Sequence, residues 1–411
     1  MAGSLAIAAG GGLVLGVLAA TSTGIARHRW TEVVQAHGHL QLFGWATVFV
    51  AALAFEFVVR LNQRPPLAAM PRAIVLTLLA SGAAVTAVGP VFGQGEQATG
   101  LAGAVLLLVG AAGFASLMAR VPAARPVRLD MHPLFFRAGA AWLVVSAGAL
   151  LIAFARTDLP FVPLDESSVV VETSLRGFVL SLIVGVGLRA FPGHLDVAPM
   201  RLRSQRLVFA GIHGSTLLWV AGTSGFGLAG SAGVQRIAEV LLGATLLFAT
   251  WEFGVPGVVS GWSARSERYQ VLVPVAWFGL VAYAVGLVAT ALDSWAGGDL
   301  NLYQTGAVRH IFLLGFMGPL MLAMAHIVLA RFGTGRVIGE RWLTTGFVLL
   351  VVGWPLRVLP PLFDPEVGRA AEAAMGAAGA LTIVGLTLAA GVAAWNARAL
   401  RSAWQSHAAG R

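Results

Sequence analysis

Runs of about twenty apolar residues recur along the whole chain with short polar joins between them, and this recurrence constrains the fold more than any motif does. A helix crossing the hydrocarbon core of a bilayer needs about 20 mostly apolar residues. Twelve runs qualify, roughly 4–24, 37–59, 72–92, 97–119, 133–155, 169–191, 206–224, 232–251, 270–292, 307–330, 341–359 and 371–398. They lack the alternation of strands and are too long for them. GQGEQ alone separates the third and fourth, and a Gly/Ser stretch the seventh and eighth, so both joins are tight turns. Composition agrees: 57% of residues are hydrophobic and 11% charged, against about 25% charged in ordinary soluble chains. The expected fold is all-α, a polytopic membrane protein of about 12 transmembrane helices, with 1–411 forming a single transmembrane domain. The first run has no basic segment before it and no small-residue cleavage site, so a retained helix is expected there rather than a signal peptide.

The absence of cysteine excludes disulfides, thiolate ligands and iron–sulfur clusters. The net charge of +9 is no nucleic-acid footprint, because all 27 basic residues are arginine gathered in short loops. Nineteen fall after the even-numbered helices or at the C-terminus, against eight on the other side. The positive-inside rule then puts both termini in the cytoplasm.

A stretch on the second helix, HLQLFGWATVFVAALAFEFVVR, resembles HIFLLGFMGPLMLAMAHIVLAR on the tenth, matching His39 with His310, Gly44 with Gly315 and Arg60 with Arg331 without a gap. The sixth helix echoes the Gly-aromatic start in LRGFVLSLIVGVGLRAFPG but lacks the leading histidine. Motifs on helices 2, 6 and 10 suggest three four-helix units, and parallel repeats of this kind relate by an axis along the membrane normal.

Ionisable residues inside a membrane point to function. His37 and His39 are two positions apart, so on a helix they project about 200° apart and cannot share one metal. Such a pair suits two centres flanking one helix. His310, at the matching depth, is the natural partner of one of them, and two imidazoles from separate helices can hold a haem between them. Arg27, Arg29 and Arg309 lie at the same rim and suit haem propionates. With no Cys-x-x-Cys-His, any haem is bound non-covalently.

His213 and His326 form a second group near the cytoplasmic side, where Glu56 also lies. These three suit copper, a second haem or a proton path, and Glu56 is the one carboxylate candidate for catalysis. His326 is 16 residues beyond His310, about 24 Å deeper on a regular helix, and cannot share its metal. His28, His132, His194 and His407 are expected in solvent, Glu239 and Asp293 at the interface, and most glycines in helix contacts.

HGHLQLFGW, GVGLRAFPGHL and RHIFLLGFMGPLMLAMAHIVLAR resemble the NnrS family of bacterial membrane proteins, and more distantly the catalytic subunits of haem-copper oxidases and nitric oxide reductases. The resemblance implies a bacterial inner-membrane protein carrying haem b and copper and associated with the response to nitric oxide. By the same likeness His39 and His310 are candidate axial haem ligands, and His37 would serve a second centre, with copper as its candidate metal. Electrons would come from the quinone pool or a cytochrome, and other membrane-protein subunits are further partners. The chain departs from the oxidases: helix 6 has no histidine inside the membrane and helix 7 only His213, so a full oxygen-reducing centre is not expected. Two rival readings are a transporter whose histidines handle a metal ion or protons, and a structural subunit in which they cap helices.

Overall fold

The computed structural model describes residues 2–409 apart from 22, 24–25, 27, 93–95, 122–129, 160, 224–229, 262–267, 299, 332–334 and 364–365. Among the described residues the secondary structure is helical and contains no strand. The long helices are α1 (Gly3–Ala20), α2 (Trp30–Leu61), α3 (Ala69–Gly89), α4 (Gln97–Arg120), α5 (His132–Arg156), α6 (Leu164–Leu195), α7 (Leu202–Gly222), α8 (Ala232–Glu252), α9 (Gln270–Trp295), α10 (Leu302–Ala330), α11 (Glu340–Phe363) and α12 (Arg369–Leu400). The protein is a multi-pass, all-α membrane protein.

Eleven of these helices are long and apolar enough to cross a membrane. The exception is α7, whose 21 residues, LRSQRLVFAGIHGSTLLWVAG, suffice in length. Its first turns carry Arg203, Ser204, Gln205 and Arg206, and a later stretch carries His213, Ser215 and Thr216, which together lower its mean hydropathy. Both α2 and α10 begin earlier than their apolar runs. At α10 the reason is local: Asn301 Oδ1 accepts from the Gln304 backbone N–H at 2.9 Å, and Gln304 Oε1 accepts from the Asn301 backbone N–H at 3.0 Å. This reciprocal cap supplies acceptors that a helix start otherwise lacks, so the helix extends into polar sequence.

Helices α2, α6 and α10 share an irregularity. Each contains a π-helical segment: Leu40–Thr47, Thr173–Val179 and Ile311–Met317. A π segment widens the turn and is frequent at functional sites; α1 carries one as well, Ala8–Gly12, with no ionisable residue in it. The segments begin directly after His39, Glu172 and His310, and each contains the Gly-aromatic pair, Gly44–Trp45, Gly177–Phe178 and Gly315–Phe316. Backbone irregularity thus recurs in the register of the sequence repeat. It also voids the regular-helix estimate for His326, because the widened turns lie between it and His310.

The chain divides into two compact units, Met1–Thr21 with Val255–Tyr283 and Leu300–Arg411, and Ser22–Gly254 with Ala284–Asp299. In the first, α1 lies on α12, where Val17 fills the space a Cβ on Gly379 would need. In the second, the π segments of α2 and α6 touch, and Phe114 bridges Phe55 of α2 and Phe178 of α6 at centroid distances of 5.3 and 5.8 Å.

Glycines set the closest helix approaches, as small residues do in membranes. On α3 and α4, a Cβ at Gly82 would stand 2.8 Å from the Leu107 backbone nitrogen. On α9, a Cβ at Gly279 would overlap the backbone of Gly315, inside the π segment of α10. Backbone atoms cannot swing aside, so Gly279→Val is expected to cost about 3 kcal/mol, the upper end of the overpacking range. Thermal unfolding of detergent-purified protein measures this, with Gly148→Ala, where a Cβ meets nothing within 4 Å, as the unperturbed control. Equal melting temperatures for Gly279→Val and the parent would contradict the close approach.

Candidate functional site

The stretch Trp30–His39 is regular α-helix, so His37 and His39 do face different ways. His39 is buried at 5% exposure, and its Nδ1 has no hydrogen-bond partner. Its ring lies against Phe43 and Phe154, both at 6.2 Å between centroids. His37 is half-buried and has a partner of its own. One turn earlier, Gln35 fastens this end of α2 to the start of α6. Its Oε1 accepts from the Val162 N–H at 2.9 Å, and its amide N–H donates back to the Val162 carbonyl.

His310 is held by its own helix. Nδ1 lies 2.6 Å from the carbonyl oxygen of Gly306, an acceptor only, so Nδ1 carries the ring proton and Nε2 the lone pair. Metal-bound imidazoles are oriented this way, with the far nitrogen donating to a carbonyl. His326 shows the same arrangement, with Nδ1 3.0 Å from the Leu322 carbonyl and Nε2 3.3 Å from the Thr344 hydroxyl.

His213 is arranged the other way. Trp142 Nε1 donates to its Nδ1 at 3.0 Å, and an indole N–H can only donate. Nε2 of neutral His213 therefore keeps the proton. A ring in that tautomer donates from Nε2 and does not ligate through it.

Glu56 pairs with Arg72 and, at 3.6 Å, with Arg60, and its side chain is partly exposed. Its partners are guanidinium groups and not the imidazoles expected beside it. Among the described residues no group of three or more His, Asp or Glu side chains is gathered to hold a metal ion. Of the rim arginines, Arg29 is engaged by Glu32 at 3.4 Å and donates to the Val91 carbonyl at 3.3 Å. Arg309 is half-buried and partnered, and Arg27 lies outside the described residues.

Three placements correct the sequence reading. His132, expected in solvent, is fully buried at the start of α5, because Asp130, Arg189 and Gln205 tie the chain down there. The Met131 N–H donates to Gln205 Oε1 at 2.9 Å, the His132 N–H donates to Asp130 Oδ1 at 3.0 Å, and Arg189 grips Asp130 and the Leu61 carbonyl. Arg176 and Arg357, expected with the loop arginines, lie inside α6 and α11. Arg357 donates to Met375 Sδ at 3.3 Å and stands beside Gly306, the residue that orients His310. No motif marks Arg357; only the folding of α11 against α10 brings it there.

Asp130 lies outside the spanning helices and carries a pH signature. Burial alone would push its carboxyl up, but hydrogen bonds from the His132 side chain and backbone, with the charges of His132 and Arg189, hold it down to about 2 from 3.8. A carboxyl depressed on folding adds stability that is complete above its unfolded value and is lost as pH falls toward the folded one. The expected loss between roughly pH 4 and 2 is about 1–2 kcal/mol, allowing for partial solvation. Melting temperatures across that range should fall more steeply for the parent protein than for Asp130→Asn; parallel curves would contradict this linkage.

The π segments also give the histidine register on α6. Counting back five residues from Gly44, Gly177 and Gly315 reaches His39, Glu172 and His310. Glu172 is buried, and its Oε2 accepts from Arg176 Nε at 2.6 Å.

No curated protein matches the chain. A family model described as NnrS protein covers residues 1–404. With the paired histidine registers, the twelve helices and a match that spans nearly the whole length, this chain belongs to the NnrS family.

Proposed function

We propose that the protein binds b-type haem, for which His39 and His310 are each a candidate ligand, and uses it to bind or turn over nitric oxide or a related small oxidant. The observation that carries this reading is His310, whose Nδ1–H is committed to the Gly306 carbonyl at 2.6 Å, so that the lone pair belongs to Nε2. His39 adds a buried imidazole whose Nδ1 has no partner, in the same register at the start of a π segment. An unpaired buried polar atom is costly, and ligation of an iron by that ring would repay it.

The residues present fit a haem better than a copper cage, since axial ligation needs one imidazole per face whereas three or more donors are not gathered anywhere among the described residues. When bound, haem supplies the redox change and the affinity for a small diatomic gas. The chain supplies the rest. Gly306 sets the His310 tautomer, Phe43 and Phe154 wall His39 off from water, and Arg357 adds positive charge beside Gly306. Nitric oxide is apolar enough to reach such a site through lipid. The bacterial inner membrane, cytoplasmic termini, a quinone or cytochrome electron donor and further subunits complete this proposal.

Haem and metal stoichiometry on detergent-purified protein, expressed with ample haem supply, tests it. The protein should be coloured, with the reduced-minus-oxidised spectrum of b-type haem, and metal analysis of the same sample reports on copper. A colourless protein would overturn the reading.

A further inference from the structure

On α6, the register that carries His39 on α2 and His310 on α10 carries Glu172. The surroundings of Glu172 differ from those of either histidine. Arg176, one turn on and 3% exposed, holds Glu172 through Nε at 2.6 Å. Its Nη2 reaches Glu239 of α8 at 3.6 Å, and its guanidinium carbon lies 5.3 Å from the centroid of the Trp219 ring of α7. Three helices of one unit therefore close over a single guanidinium shared by two carboxyl groups. Val169, Trp219 and Ala238 form the apolar core beside it.

Two carboxylates on one guanidinium in an apolar interior repel each other, and the more weakly held one is the group that takes up a proton. Glu172 has the short contact. Glu239 has the longer one, and its side chain keeps 24% exposure against 6% for Glu172. The charged groups facing Glu239 are Arg176 and Glu172, with the Trp219 indole beside them; Arg236 is one turn back on its own helix.

We propose that Glu239 is a proton-exchange site: its carboxylate takes a proton from water at the N-terminal end of α8 and becomes a neutral acid beside the Glu172–Arg176 ion pair, then returns the proton there. The third register of the repeat, Glu172, thus holds the cation beside that exchange in place of a ligand to a cofactor. The site stands on the Glu172, Arg176 and Glu239 geometry and does not depend on haem.

Infrared spectroscopy of the protein in lipid nanodiscs, titrated in H2O and D2O, tests this without any cofactor signal. A protonated-carboxyl band that shifts in D2O and disappears as the pH is raised is expected. It should be lost in Glu239→Gln and shifted but present in Glu239→Asp. In Glu172→Gln the band should also disappear at neutral pH, because Arg176 then serves Glu239 alone. Absence of the band from the parent protein, or a band unchanged in Glu239→Gln, would overturn the proposal. The Glu239→Asp variant keeps the carboxyl group, so it reads the site even if Glu239→Gln fails to fold. A colourless protein that still shows the band would sink the haem reading and leave this one standing.

Discussion

His39→Ala and His310→Ala should each abolish the Soret absorbance of the proposed b-type haem or change its ligation state, while His28→Ala, in an exposed position, should leave the spectrum unchanged. The expectation rests on the proposed axial roles and on the way the two rings are held. His310 is pinned as an Nε2 lone-pair donor by its own helix, and His39 presents a buried ring nitrogen without a partner. Losing an axial imidazole removes a bond that no neighbouring side chain replaces. Haem content per chain measures the loss in each variant. His213→Ala is the informative contrast. Because Trp142 forces its ring proton onto Nε2, its removal should leave the haem spectrum in place. Loss of the Soret band from His213→Ala, with His39→Ala and His310→Ala unaffected, would reverse the assignment.

Arg176→Met should destabilise the protein by about 3–5 kcal/mol, the usual cost of stripping one partner from a buried ion pair. Arg176 and Glu172 lie 2.6 Å apart, both almost wholly buried, so the change leaves a carboxylate in an apolar interior without its closest cation. Neutralising that carboxylate as well, in the double variant Glu172→Gln with Arg176→Met, should recover most of the loss, since the residual cost is then one of packing. Arg176→Lys should fall between the two, because an ammonium cannot present two separate edges to Glu172 and Glu239. Thermal unfolding in one detergent at one pH ranks the four proteins. Equal melting temperatures for Arg176→Met and the parent would show that the cation contributes nothing to this core.

Much of the site was legible in the sequence, and the reasons are particular. His39 and His310 stand out because histidine is rare here, nine residues in 411, and because two sit in one register ahead of Gly-aromatic pairs. Glu172 carries no such signal, because a glutamate in that register matches neither histidine. The π segments depend on backbone hydrogen bonding, which residue types alone do not give. Glu239 reads as interfacial from its place near a helix end, and the structure adds that Arg176 of α6 and Trp219 of α7 stand beside it. His132 fails for the opposite reason: adjoining a polar loop suggested water, but Asp130, Arg189 and Gln205 from separate segments enclose it.

The sequence by itself determined the membrane span count to within α7, the all-α class, the spacing that separates His37 from His39, and the repeat between α2 and α10. These follow from hydrophobic run length and helical period, which are properties of the local chain. Only the tertiary structure decided which ring nitrogen His213 offers, that Glu56 belongs to arginines, and that Arg176 joins carboxyl groups from α6 and α8. The ring proton of His213 and the partners of Arg176 depend on groups brought from other helices, and in an apolar interior each such group must find its hydrogen bond within the protein.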